Sequence, residues 1–265
     1  MTLKSTISNK YVYNKNIVYN IALFSFISCN NDAMLTKHWI KHYSDIGFNR
    51  NTSLVILQGN KPCKLEELFI SKIKTTYTTI YSSVDKQNAV NKFIKSLPMD
   101  SYIMYPDGDE FFTFDNASIQ HARNNAVQST LFEMVPTNNI LTCVNDIMIN
   151  SSFYKKCNRL FEYLRRCTYK ITLAPVYRHN KYIKYLSSHR IHNITVYKST
   201  APIYHYRYNC KTPSLTYKKY KLYRDRVLNP LGYYISKSFP AMITYRKEYK
   251  LYKYKNKQWY FNFNC

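Results

Sequence analysis

The sequence predicts an open α/β fold, and three observations carry that expectation. Residues Asn20 to Ser28 form an almost continuous apolar run, the pattern of a strand covered on both faces. Strand-like and helix-like segments then alternate through roughly the first 115 residues, as in successive βαβ units. Two polar clusters, Ser28-Cys29-Asn30-Asn31-Asp32 and Asp107-Gly108-Asp109-Glu110, directly follow apolar strands, where sheets of this kind bind ligands.

Each element has its own local signal. Asn31 or Asp32 can cap a helix in which Leu35, Trp39, Tyr43 and Ile46 recur at helical spacing, and Gly47 stands where a left-handed C-terminal residue belongs. Residues 52–57 form a second strand, 64–73 a helix and 75–81 a β-rich segment. Val84, Val90, Phe93, Ile94 and Leu97 line one face of a further helix, which Pro98 ends. Residues 101–105 make a short strand that runs into the acidic cluster. Between 115 and 200 the pattern is less regular, with strand-like runs at 140–144 and 147–149. From about residue 206 the chain is basic and Tyr-rich, with Asp225 and Glu248 as its acids; the expected division is a domain over 1–220 and an extension over 221–265.

Composition bounds the partners. At about 150 residues per domain, 265 residues make one large or two small domains. Hydrophobic residues at 45% and charged residues at 20% exclude a disordered or collagenous chain. Lys and Arg number 39 against 15 Asp and Glu, so a formal charge of +24 attracts phosphate-bearing partners: nucleic acid, anionic membrane or a nucleotide substrate. The seven cysteines are odd in number and form no C-x-x-C pair, so no disulfide framework or zinc knuckle is legible and a reducing compartment is expected. The apolar stretch from Ile17 to Cys29 falls short of the ~20 residues of a membrane span. With no signal peptide legible either, a cytoplasmic enzyme with peripheral association to anionic membrane is the expectation.

The acidic cluster carries the chemistry. Three acids within four residues are costly unless something positive sits among them. Carboxylate oxygens at this density suit Mg²⁺ or Mn²⁺, which completes its shell with substrate phosphates, so the implied partner is a metal diphosphate. Phe111, Phe112 and Phe114 supply an apolar wall beside it.

At these residues the chain resembles a known family. Cys29-Asn30-Asn31-Asp32, His38-Trp39-Ile40-Lys41-His42-Tyr43 and Gly47 are similar to the opening motif of glycosyltransferase-two-like and family-ninety-two-like enzymes. Asp107-Gly108-Asp109-Glu110-Phe111 resembles their D-x-D-E-F signature, and Ser188-His189-Arg190 and His205-Tyr206-Arg207 resemble two later segments. Asp32 stands where that family has Glu, and His38 where it has an acid before Trp39. The likeness spans roughly residues 20–220. It implies a GT-A-like open mixed sheet, with a nucleotide-binding βαβ half and an acceptor half, followed here by the basic extension. The implied activity is metal-dependent transfer of a sugar from a nucleotide-diphosphate sugar, a UDP-sugar foremost, to a glycan or lipid-linked acceptor.

The resemblance also implies roles, with Mn²⁺ or Mg²⁺ as cofactor. Asp109 would ligate the metal directly, and Asp107 would reach it through water or bind the ribose. Asn31 and Asp32 would hold the base or ribose, or simply cap the helix. His189 and His205 would be a third metal ligand or a diphosphate contact. Arg207 would bind phosphate, since a guanidinium stabilises a departing diphosphate. An inverting transferase further needs a carboxylate base; Glu133 and Asp146, each flanked by apolar residues, are the candidates, Glu133 ahead of Asp146.

Other classes fit parts of the sequence. The stretch Tyr245 to Tyr260, rich in Lys and Tyr, suits nucleic acid or an anionic membrane surface. No RNP, KH, zinc-finger or helix-turn-helix pattern accompanies it, so nucleic acid is not the expected partner. A phosphohydrolase using Asp107 as nucleophile would carry its D-x-D at the end of the first strand, where this chain has Asn31 and Asp32. A degenerate transferase that binds without turnover is the blander alternative.

Overall fold

The computed structural model describes residues 20–28, 35–48, 52–58, 75–78, 83–141, 154–157, 159–164, 168–187, 189–192, 194–208, 211–228 and 235–263. Two compact units emerge, residues 2–132 with 168–205 and residues 133–167 with 206–265, here the N-terminal and C-terminal units.

The chain opens with β1 (Ile21–Ser28), α1 (Thr36–Ile46), β2 (Ser53–Gln58), β3 (Thr75–Thr78), α2 (Ser83–Lys95), β4 (Tyr102–Met104), β5 (Glu110–Phe112), α3 (Asn116–His121) and the long β6 (Ala126–Pro136). It continues through β7 (Ile140–Leu141), β8 (Tyr154–Lys156), α4 (Arg159–Leu164) and β9 (Tyr169–Pro175). Short pieces follow: β10 (Tyr177–Arg178), β11 (Lys181–Tyr182), β12 (Lys184–Ser187), β13 (Arg190–His192), β14 (Val196–Lys198) and β15 (Ile203–His205). The last elements are α5 (Thr212–Leu228), α6 (Ile235–Tyr249), β16 (Tyr252–Lys255) and β17 (Gln258–Phe261).

The N-terminal unit is the open mixed α/β sheet expected from the sequence. Its strands run β3-β2-β1-β4-β9-β6. β1 pairs in parallel with β2 and β4, and β2 with β3. β9 then enters antiparallel between β4 and β6, and β14 adds to β6 in parallel. β1 is buried along Ala22 to Ile27, which is why its sequence is apolar without alternation. α1 ends at Gly47, whose φ of 113° is left-handed as expected. Its start differs from expectation: Leu35 holds the N-cap position with no side-chain bond, while Asn31 and Asp32 lie outside the described residues.

α2 buries Val90 and Ile94 against Phe24, Ile103 and Tyr185. Asn91 fixes its height on the sheet, donating to the Tyr185 carbonyl at 3.0 Å and accepting the Tyr185 N–H at 2.9 Å. Lys86, one turn before Val90, is thereby carried on the inward side of the helix.

In the C-terminal unit, β8 pairs antiparallel with the end of β6, and β7, β17 and β16 form a small antiparallel sheet. Val135, Leu141, Leu160, Leu164, Tyr208, Tyr252 and Phe261 make its core. The basic segment after residue 206 is thus folded into helices α5 and α6 and a hairpin.

Two further points correct the sequence. Cys157 is disulfide-bonded, where free thiols in a reducing compartment were expected; spacing alone does not reveal which scattered cysteines the fold brings together. β6 and β9 occupy the stretch that looked irregular, because Gln128, Ser129 and Thr130 interrupt one and Lys170 the other. The helix expected over 64–73 and the strand over 147–149 lie outside the described residues. Among the described residues, no helix is long and apolar enough to cross a membrane.

Candidate functional site

β2 and β3 lie on one side of β1 and β4 lies on the other, so the carboxyl ends of β1 and β4 border the switch point where such sheets bind ligands. The chain leaves β4 there through Tyr105 and Pro106, and Asp107 makes an isolated parallel bridge to Phe26 of β1. The acidic turn closes with the Glu110 N–H donating to the Asp107 carbonyl at 3.1 Å. Trp39 Nε1–H donates to the same carbonyl at 3.0 Å, and the Glu110 carboxylate accepts the Asp107 N–H at 2.8 Å. Ser25 Oγ holds the Pro106 carbonyl at 2.8 Å. From α1, the Tyr43 hydroxyl donates to the Glu110 carbonyl at 3.1 Å and accepts the Phe112 N–H at 3.2 Å. The aromatic residues of α1 therefore clamp the turn onto the sheet.

Two lysines meet the carboxylates. Lys170 of β9, fully buried, donates to Asp107 Oδ2 at 2.8 Å and also pairs with Glu110 Oε2. Lys86 of α2 pairs with Asp107 Oδ1. Both ammonium groups lie over the Tyr105 ring, at 5.3 Å and 5.7 Å from its centroid. Burial opposes the Asp107 charge, but Lys170 and Lys86 outweigh it and hold this carboxyl below the usual carboxylate range. Burial likewise opposes the Lys170 charge, and Asp107 and Glu110 outweigh it and raise its pKa. Glu110 is raised, chiefly by burial.

Asp109 faces a different partner. Antiparallel pairing of β15 with β5 sets His205 opposite Glu110, and His205 Nε2–H donates to Asp109 Oδ2 at 3.1 Å. Both side chains keep some exposure, 15% for His205 and 23% for Asp109. His189 Nδ1–H donates to the Tyr169 carbonyl at 2.6 Å, which leaves the lone pair on Nε2. Burial, then the Lys170 charge, lowers its pKa, and Asp107 and His205 also act on it. Asp107, Asp109, His189 and His205 are thus gathered in one unit.

The other residues singled out from sequence fall elsewhere. Arg207 donates to the buried Glu248 carboxylate at 2.8 Å in the C-terminal unit, and Tyr252 OH donates to the same oxygen at 3.1 Å. Glu133 belongs to that unit too, buried at 1% exposure and acting on the Arg207 charge. Asn31, Asp32 and Asp146 lie outside the described residues.

Among the described residues, no three His, Cys, Asp or Glu side chains form a group that holds a metal alone. Asp109 offers an oxygen donor, and His205 offers Nε2 as a nitrogen donor once its proton moves to Nδ1, a set that suits Mn²⁺ when substrate phosphates fill the shell. The Asp107 oxygens, each taken by a lysine, do not fit direct ligation.

His42 reports on the packing of this turn. Its Nε2–H donates to the Phe112 carbonyl at 2.9 Å, and burial lowers its pKa from 6.5 to about 4. The unfolded chain binds this proton first as pH falls, so stability present above pH 6.5 is lost progressively toward pH 4. The contribution is on the order of 3 kcal/mol. Urea unfolding at pH 7.5 and pH 4.5 should show it as a difference between wild type and His42→Gln, which keeps a donor but does not titrate; equal pH dependence would refute it.

No family model matches the sequence, and no curated protein does. Solved structures with partial likeness include S. aureus TarS 1-349 in complex with UDP-GlcNAc, at 8% identity and a TM-score of 0.38, covering 86% of this chain and 73% of that one. HddC from Yersinia pseudotuberculosis is 9% identical with a TM-score of 0.36, covering 69% and 92%. A 4-diphosphocytidyl-2C-methyl-D-erythritolsynthase from Anaerococcus prevotii is 13% identical with a TM-score of 0.27, covering 83% and 82%.

Proposed function

We propose that the chain is a glycosyltransferase that takes a sugar from a nucleotide-diphosphate donor, with UDP-sugars as the first class to test and a hydroxyl of a glycan or lipid-linked glycan as acceptor. The observation that carries the proposal is the Asp109–His205 pair, 96 residues apart in sequence and 3.1 Å apart at the switch point of the sheet.

In this reading Asp109 and His205 hold a divalent cation, Mn²⁺ or Mg²⁺. When bound, the cation supplies neutralisation of charge on the departing diphosphate. Asp107 stays an anchor: with both oxygens on lysines, it fixes the turn so that Asp109 is presented in one orientation. Lys86 adds positive charge on the partly exposed side of the turn, where an anionic donor is attracted. His189, with its Nε2 lone pair, is a third ligand for the cation or an acceptor for a hydroxyl of the nucleotide sugar.

The test is thermal melting with Mn²⁺ and UDP, GDP, CDP or ADP in turn. A ligand that binds the folded state raises the midpoint. A cation-dependent rise with one nucleotide is expected and names the base. Folded protein that responds to none would sink the transferase reading, and oligonucleotides and anionic vesicles would be the next ligands to try.

A further inference from the structure

The C-terminal unit has an open concavity of about 610 Å³, whose lining includes Asn138, Asn139, Lys253, Tyr254, Lys255 and Asn262. Cross-strand pairing explains its chemistry. Tyr254 lies opposite Trp259, and Lys253 opposite Tyr260. By strand alternation Tyr254 shares the face on which Tyr252 and Phe261 are buried, yet it is 61% exposed. Its ring leans on Trp259 at 5.0 Å between centroids. An exposed aromatic face thus forms part of the lining of the concavity.

The polar lining is equally specific. The turn before β7 puts Asn139 at φ 60°, with its carbonyl accepting the Phe261 N–H at 2.8 Å. Among the described residues, the buried Asn139 Oδ1 accepts no hydrogen bond. Asn138 and Asn262 add amides. Residues 249–263 contain four lysines and no acid, and neither do residues 136–141.

We propose that this concavity binds an acidic oligosaccharide. The Tyr254 face takes the C–H side of a sugar ring, the three asparagines take hydroxyls, and Lys253 and Lys255 take its anionic groups. A discrete concavity within the ~300–1,000 Å³ of small-molecule sites favours such a ligand. Single-stranded nucleic acid needs an extended track of successive aromatic platforms, and a membrane surface needs a flat apolar face to insert.

Trp259 supplies the readout, as the chain has two tryptophans and the other, Trp39, is fully buried in the N-terminal unit. The probe is sulfated maltohexaose, titrated at about 0.15 M salt to screen the general positive charge. A change in Trp259 emission is expected, with neutral maltohexaose and the oligonucleotide dT10 binding at least about tenfold more weakly. Tyr254→Ala, at an exposed position, should weaken binding at least about tenfold, whereas Lys218→Gln with Lys219→Gln on α5 should change it less than about twofold. No binding, an unchanged Tyr254→Ala, an equal loss in the α5 pair, or dT10 or neutral sugar binding as tightly would each overturn the proposal. The titration contains no nucleoside diphosphate and no divalent cation, so its failure is separable from failure of the transferase reading.

Discussion

Lys170→Met should destabilise the N-terminal unit by roughly 3–5 kcal/mol. Lys170 is fully buried and joins two carboxylates, so its removal leaves Glu110 buried without its ammonium and Asp107 with Lys86 alone. The loss is one of uncompensated charge and not of side-chain volume, since Met fills nearly the same space. Adding Glu110→Gln to Lys170→Met should therefore recover part of the loss, because the stranded charge is gone. Urea unfolding of the single and double variants checks both statements. A Lys170→Met protein within about 1 kcal/mol of wild type would mean that the ion triad is not formed in solution.

Asp109→Asn should abolish the cation-dependent rise in melting midpoint given by the nucleotide while leaving the ligand-free midpoint nearly unchanged. Asp109 has 23% of its side chain exposed, and an amide there still accepts from His205. At ligand concentrations of about a hundred times the dissociation constant, the wild type gains about 2.7 kcal/mol, or several degrees for a chain of this size. Asp107→Asn should behave in the opposite sense: the ligand-free midpoint falls, because Lys86 and Lys170 lose their shared carboxylate, while cation dependence persists. Calorimetry with and without Mn²⁺ separates the two. Identical behaviour of the two variants would deny the division of labour between anchor and ligand.

Much of the N-terminal unit was legible because its signals are local. The apolar run of β1, the helical spacing of α1 with Gly47 at its end, and the apolar face of α2 stopped by Pro98 all depend on neighbours within a few turns. β9 was not legible, since a strand buried along Lys170 to Pro175 was expected to be apolar throughout and carries a lysine instead. That lysine was nevertheless implied: an acid cluster of this density requires a cation, and the sequence says so without saying which. The answer depends on register, since β9 lies antiparallel against β4 and brings in a residue 63 positions from Asp107. Lys86 had a weaker signal, a charge one turn from Val90 on the apolar side of α2. The Asp109–His205 pair entered only through family resemblance, because no periodicity links residues 96 apart. In the C-terminal unit, the basic composition hid a hairpin whose Trp259 pairs with Leu141.

The shared carboxylate of Asp107 also limits how the chain can change over generations. A single replacement of Lys170 takes the ammonium from Glu110 and leaves Asp107 with Lys86, and a single replacement of Asp107 takes the carboxylate from Lys86 and leaves Lys170 with Glu110. Drift at this turn therefore passes through intermediates less stable than either end point, and positions 86, 107, 110 and 170 are held to move together, while the neighbouring Asp109, bonded to His205, stands outside that set.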